Sequence, residues 1–449
     1  MQGNWVDIYD LLLTPIYVGL IILYAVYVRN KNISKKPYYK YFVPAVICKL
    51  IGAIGVCLVY TYYYTYGGDA TNYFLAAKGY VNVLYELDFE MFWNMINFRT
   101  NNIYLAGYGK YQGVEIYFSP NDYYALFTVV LTIPFCLLGA KSFLATACLL
   151  AVFSFRGLWL LYEVFVEEFP QYHKPFAYAI FFIPSVFFWG SGILKDTYTL
   201  SAIGFFTYAV YMFLIRRKRK VKYVLVMVTA ALIMIFIKPY IFFAILPGSL
   251  TWVFFARIAK LRNPLFRVLA LPLMLVVLSG LIIYSMQLLS EYLGEYSMDN
   301  VLNKAVKTQQ DLIRSEQYGN NNFDIGKFDA TIGGIASKIP VAINLALFRP
   351  YIWDARNPVM FLSGMENLIM LGFSIYILLK VKTGVLIKSI FSHPLLIFSL
   401  LFALFFAFAV GLTTANYGAL VRLKIPCIPF YSCALIILFI LNKSSFSRR

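Results

Sequence analysis

The chain is poor in the side chains from which hydrolytic and metal centres are usually built. It holds two imidazoles, His173 and His393, in 449 residues. That is scant material for a histidine-rich metal site or a Ser-His-Asp centre. Its six cysteines, Cys48, Cys57, Cys136, Cys148, Cys427 and Cys433, include no CxxC pair and lie inside apolar runs. A thiol there behaves as a small hydrophobe, so neither disulfides nor zinc are expected. Charge is sparse, at 13% of residues, and lopsided, with 39 Lys and Arg against 21 Asp and Glu. Internal repeats, low-complexity tracts and a soluble domain are not evident. No short apolar segment with a small-residue cleavage site precedes the first long run, so no removable signal peptide is expected.

What the chain has instead is apolar length. Hydrophobic residues make up 61%, aromatics 19%, and mean hydropathy is +0.70. This exceeds what a soluble core of this size buries. Apolar runs of about 20 residues recur along the chain, which predicts an all-α, polytopic transmembrane helical bundle. The net charge of +18 does not read as a nucleic-acid surface, because the Lys and Arg residues bunch in short loops between apolar runs. That is the positive-inside pattern, and it makes membrane lipid the expected neighbour.

Residues 9–28 form a first span, followed by Arg29, Lys31, Lys35, Lys36 and Lys40, whereas residues 1–10 carry no Lys or Arg. This asymmetry places the N-terminus outside the cytoplasm. Residues 42–64 return across the membrane to YTYGGDATNYF, which opens a first extracytoplasmic loop over 65–120. Within that loop, FLAAKGYVNVLYELDFEMFWNMI has apolar residues at helical spacing with charges between them, the pattern of one or two interfacial helices. Runs follow at 122–139, 142–165, 175–190 and 198–215, the last ending in the basic cluster Arg216–Lys222, the strongest cytoplasmic marker. Two shorter apolar segments joined by Lys238-Pro239 read as a tight helical hairpin that returns to Arg257, Lys260 and Arg262. A span at 265–287 leads to a second extracytoplasmic loop, 288–358. There Ser297–Gln317 has a polar helical pattern, and IPVAINLALFRPYIWDARNP reads as a re-entrant or interfacial element. Runs at 359–379, 391–411 and 426–441 end in a cytoplasmic tail. The runs number twelve, whereas an external N-terminus and a cytoplasmic C-terminus need an odd number of crossings, so about 11–12 spans are expected. The discrepancy falls between residues 121 and 190, where one run is interfacial or a pair of short helices. Two modules follow, 1–260 and 261–449.

On this topology the external face collects Asp69, Lys195, Asp196, Lys238, Arg349, Asp354, Arg356, Arg422 and Lys424, each near the end of an apolar segment. The mixture suits a substrate with a phosphate and a hydroxyl acceptor. Lys and Arg neutralise phosphate oxygens, and a carboxylate accepts a proton from an attacking hydroxyl. Each residue also has a plainer reading. Asp69 caps the helix that follows; Lys195 and Asp196 form a local ion pair in a surface turn; Lys238 snorkels. Arg349 and Arg356 either pair with Asp354 and anchor their loop or grip a pyrophosphate. Arg422 flanks the last span. Glu163 and Glu366, inside apolar runs, need partners within the bundle, with Arg156 the expected partner of Glu163.

In order and sidedness, GGDATNYF, WGSGILKDTY and IFIKPYIFFAILP resemble the motifs of the GT-C class of integral membrane glycosyltransferases. The resemblance covers roughly residues 42–260. It implies a bacterial inner-membrane enzyme that transfers a sugar from a polyprenyl-phosphate-linked donor to a lipid, glycan or protein acceptor. Asp69 would be the general base or acceptor-orienting residue, and Lys195, Asp196 and Lys238 would hold the donor phosphate or the acceptor. The chain departs from the class in two ways. Gly68 stands beside Asp69 where many members carry a second acid, so a divalent metal lacks support and no cofactor is expected; and no soluble peptide-binding domain follows. FRPYIWDARNP and NYGALVRLKIP resemble O-antigen polymerase-like proteins, which implies arginines, here Arg349, Arg356 and Arg422, gripping the same class of lipid-linked sugar. A non-enzymatic transporter or flippase of a lipid-linked anion is the alternative from another class, although the two halves show no symmetry of the kind common in transporters.

Overall fold

A computed structural model of the chain describes residues 5–64, 67–86, 88–97, 122–258, 331–356 and 358–443, together with Gly280 and five positions between Asn322 and Asp329. Apart from Gly280, the expected span at 265–287 lies outside the described residues, as do the helical pattern at Ser297–Gln317, the first loop beyond residue 97, Lys260, Arg262 and the tail beyond Lys443.

Among the described residues the regular structure is helical, with one isolated bridge between Asn322 and Asn416. In chain order the helices are α1 (Ile8–Asn32), α2 (Phe42–Leu58, continued by a π-helical turn to Tyr63), α3 (Asp69–Tyr85), α4 (Phe89–Ile96), α5 (Tyr123–Leu138) and α6 (Phe143–Glu168). Then come α7 (His173–Phe181), α8 (Pro184–Trp189), α9 (Lys195–Val210, continued by a π-helical turn to Ile215), α10 (Val221–Ile237) and α11 (Pro239–Ile258). The remainder are α12 (Ile332–Ser337), α13 (Ile339–Phe348), α14 (Pro358–Lys380), α15 (Thr383–Ile390), α16 (Pro394–Thr413), α17 (Tyr417–Leu423) and α18 (Ile428–Leu441). Seven described helices are long and apolar enough to cross a membrane, or eight if α17 and α18, bent by 66° at their break, form one span. The fold therefore has the all-helical build and apolar helix lengths of a multi-pass membrane protein. In the stretch where the run count is inconsistent, residues 175–190 form parts of two short helices, α7 and α8, instead of one span.

The chain divides into two compact units that interleave in sequence. One comprises Met1–Glu163, Val186–Phe205 and Leu232–Lys238; the other comprises Val164–Ser185, Phe206–Ala231 and Pro239–Arg449. In the first, Asp7 caps α1 by accepting from the Asp10 N–H at 2.8 Å. Asp10 in turn accepts from Ser142 Oγ at 2.5 Å and Leu144 N–H at 3.0 Å, tying the start of α1 to the α5–α6 turn. Small residues decide how closely the helices approach. A Cβ built on Gly52 of α2 would lie 2.2 Å from the Phe187 carbonyl oxygen, and one on Gly192 would lie 2.3 Å from Val56. Between α6 and α9, a Cβ on Gly157 would meet Ser201 O at 2.2 Å, and one on Gly204 would meet Gly157 O at 2.1 Å. Backbone thus lies on backbone, as small residues permit in membrane helices.

The buried Glu163 on α6 takes a different partner from the one expected. Its Oε1 accepts from Lys36 Nζ at 3.3 Å, Tyr38 Oη at 3.4 Å and Tyr39 Oη at 3.5 Å, which binds the α1–α2 connection to α6. Arg156 was the nearer candidate along the helix, but Lys36 brings two tyrosine hydroxyls with it, and a buried carboxylate needs several donors. Burial works against the Lys36 ammonium, yet the Tyr38 hydroxyl and the Glu163 charge outweigh it and raise its pKa above the ordinary lysine value.

In the second unit α11 packs on α16, where Trp252 stacks on Phe398 with ring centroids 4.9 Å apart and planes 13° apart. Gly411 of α16 allows α13 to approach until the Ala342 carbonyl oxygen lies 2.0 Å from where a Cβ would stand. At one end of this unit His393 Nε2 lies 3.7 Å from Glu168 Oε2, while the Tyr211 hydroxyl donates to Glu168 Oε1 at 2.7 Å. Burial lowers the His393 pKa below its usual 6.5, and Glu168 opposes that shift. With the folded value depressed, the native state holds the ring neutral. Its contribution to stability is present above pH 6.5 and is lost as the pH falls through the folded value. The thermal unfolding midpoint is therefore expected to fall more steeply between about pH 7 and pH 5 in the wild type than in His393→Gln, as followed by fluorescence of the detergent-solubilised chain.

Candidate functional site

Gly67, with φ +76°, lies in the left-handed region that favours glycine. It turns the chain from the end of α2 into α3, and Gly68 is the N-cap. Thr71 Oγ1 accepts from the Gly68 N–H and donates to the Gly68 carbonyl, each at 2.9 Å. The capping role considered for Asp69 therefore falls to Gly68, and Asp69 is the first residue of the helix itself. It is half-buried there, where the partial positive charge of the helix start favours a carboxylate.

Lys195, Asp196 and Lys238 come together. Asp196, in the first turn of α9, is completely buried, and its Oδ1 accepts from Lys238 Nζ at 2.5 Å. Lys238 is the single residue between α10 and α11 and is itself buried, so it is held in an ion pair instead of snorkelling. Lys195, the residue before Asp196, reaches towards α5. Its Nζ reaches Asp122 Oδ1 at 3.9 Å, the long limit of an ion pair, and its side chain is 18% exposed against 10% for Lys238. Asp122 is the N-cap of α5, accepting from Ala125 N–H at 2.9 Å. Below it, Thr132 Oγ1 and Tyr198 Oη are 2.8 Å apart, a further polar link between α5 and α9.

A further cation of this unit was not singled out from the sequence. Lys49, the sole charged residue from Phe42 to Tyr63, is buried and donates to the Gly190 carbonyl beyond the end of α8. A cation suits the carbonyl-bearing end of a helix. Its signal was available, because one lysine in an otherwise uncharged run is costly and calls for a partner. Asp122 left a weaker signal, since Asp before an apolar run reads first as a cap.

Asp69 belongs to the same unit as this cluster, whereas Arg349, Arg356 and Arg422 belong to the other. Arg349 forms a two-point pair with Asp354, Nε to Oδ2 and Nη2 to Oδ1, both at 3.0 Å. Its guanidinium lies 5.2 Å from the Tyr351 ring centroid and 5.5 Å from that of Tyr417. Asp354 thus occupies the Nε–Nη2 edge of Arg349, the edge by which an arginine grips an anion at two points. Arg356 is exposed and Arg422 half-buried on α17. Lys424, at the break between α17 and α18, is completely buried and donates to Asn367 Oδ1 at 2.7 Å and the Arg349 carbonyl at 3.2 Å. Glu366 on α14 accepts from Ser185 Oγ at 2.5 Å and Ser185 N–H at 2.9 Å.

Chemically, the first unit offers a buried neutral pair, a more accessible lysine held by a distant carboxylate, and a carboxylate at a glycine turn. The Asp196–Lys238 pair ties the start of α9 to the α10–α11 junction. Among the described residues no three His, Cys, Asp or Glu side chains converge as a metal site would need. Comparison with protein-family models, curated proteins and solved structures finds no match to this chain.

Proposed function

We propose that the chain is a membrane glycosyltransferase that moves a sugar from a polyprenyl-phosphate-linked donor to a lipid, glycan or protein acceptor on the extracytoplasmic side, in bacterial cell-envelope glycan assembly. The observation that carries this reading is the meeting of two sequence-distant charged turns, Lys195-Asp196 and Lys238-Pro239, in one buried ion pair beside a second, more accessible lysine. In the reaction the acceptor hydroxyl gives its proton to the Asp69 carboxylate and its oxygen attacks the anomeric carbon. The bond from that carbon to the phosphate oxygen breaks, and its electron pair leaves on the lipid phosphate. Lys195 meets that growing negative charge, where a fixed cation lowers the barrier most.

The test is transfer in membranes supplied with a defined polyprenyl-phosphate sugar. Asp69→Asn is expected to lower kcat by about 10²–10⁴-fold, the range of a general base. Lys195→Met is expected to raise the donor KM. Full transfer activity in Asp69→Asn overturns the mechanism. The bend at α17–α18 with Lys424 buried at its break favours a second reading, a transporter of a lipid-linked anion, since interrupted helices line such pathways. Movement of the lipid-linked sugar across vesicles with no covalent product would select it.

A further inference from the structure

One end of the second unit carries two cationic segments that lie far apart in sequence. Glu167 and Glu168, the last residues of α6, join them. Glu167 Oε2 lies 3.5 Å from Arg216 Nη2, and Glu168 bonds Tyr211 at 2.7 Å and lies 3.7 Å from His393. The first segment, Arg216 to Lys222, is exposed throughout and holds six Lys and Arg residues. Its backbone is a tight coil: Arg217 has φ +53°, Lys218 N–H donates to Met212 O, and Arg219 N–H donates to Arg217 O. The cations are thus gathered at the junction of two apolar helices instead of spread along one of them.

The second segment is α15, eight residues between α14 and α16. Its N-cap Lys382 and Lys388 on it are exposed, and so are Val385 at 44%, Ile387 at 50% and Phe391, just beyond it, at 45%. Ser389 Oγ donates to Asn442 Oδ1 at 3.0 Å, which brings the exposed Lys443 to the same end. We infer that this end is a docking surface for anionic phospholipid headgroups, with the apolar side chains of α15 entering the acyl boundary while the coil at Arg216–Lys222 meets the phosphates. Charge alone would equally suit a nucleic acid or an acidic protein. Exposed Val385 and Ile387 between Lys382 and Lys388, with Phe391 just beyond, at the mouth of apolar helices, fit a charged bilayer surface.

The experiment uses the full chain in phosphatidylcholine vesicles doped with a photoreactive phosphatidylglycerol, with adducts mapped by mass spectrometry. Adducts are expected at Arg216–Lys222 and on α15, suppressed by unlabelled phosphatidylglycerol and not by added phosphatidylcholine. The variant R217Q/K218Q/R219Q/K220Q is expected to lower their yield at least fivefold, while R217K/R219K keeps it. Should the neutralised chain fail to insert, wild-type yield at about 1 M salt gives the same reading, because exposed charges are then screened beyond about 3 Å. Undiminished yield in the inserted neutralised variant, or at high salt, overturns the inference. Equal suppression by the two lipids, which would show no preference for the anionic headgroup, also overturns it.

Discussion

Asp196→Asn is expected to destabilise the chain by about 3–5 kcal/mol, because removing one partner of a buried ion pair leaves the other charge uncompensated. Asp196 has no exposed surface and Lys238 retains 10% of its side chain. The lost attraction is therefore not replaced by water. Lys238→Met is expected to cost a similar amount, by stranding the carboxylate. The double variant Asp196→Leu with Lys238→Met should recover most of the loss, since a buried pair replaced by apolar residues of similar volume is often neutral. Thermal unfolding in detergent, followed by intrinsic fluorescence, measures all three. Single variants that unfold at the wild-type temperature would sink this account of the pair. The double variant also separates roles: a chain that folds but transfers no sugar needs the charges for chemistry, and one that transfers normally needs them only as a brace.

The second large effect concerns size. Gly204→Val is expected to lower stability by about 1–3 kcal/mol or more, the usual cost of overpacking, because the new side chain meets backbone that cannot rotate away. The Gly157 carbonyl oxygen lies 2.1 Å from where the first carbon would sit. Gly157→Ala faces the Ser201 carbonyl at 2.2 Å and should show the same sign. Gly372→Ala in α14 is the control. Nothing lies within 4 Å of its added carbon, so the gain in helix propensity, about 0.5–1 kcal/mol, should appear as a higher unfolding midpoint. Equal midpoints for Gly204→Val and the wild type would mean that α6 and α9 do not meet through these glycines.

These two sites mark what could be read from the sequence and what could not. Apolar runs at 9–28, 42–64 and 142–165 correspond closely to α1, to α2 with its π-helical turn, and to α6, because run length reflects a local demand: backbone polar groups must be satisfied within the segment. The charged turns at Lys195-Asp196 and Lys238 stood out for the same local reason. Their pairing did not, since it depends on how α9 and α10 are set against each other. Gly52, Gly157 and Gly204 read along the sequence only as weak helix formers, although they fix the approach of neighbouring segments. Glu163 shows the same limit. Spacing along α6 pointed to Arg156, but packing delivered Lys36 with Tyr38 and Tyr39. Arg349 was legible in kind, because Asp354 lies close by in sequence and the choice between anchoring and anion binding rested on a contact within one loop.

The bond from Lys49 to the Gly190 carbonyl has a consequence for mutational scanning. Its acceptor is main chain, so changing the side chain at any position in the 186–194 turn leaves the acceptor atom present, whereas an apolar replacement at position 49 removes the donor. A substitution map of unit one should therefore show an intolerant lysine with no matching charged partner. No second-site carboxylate would rescue it, and only a variant that restores a cationic donor at position 49 would.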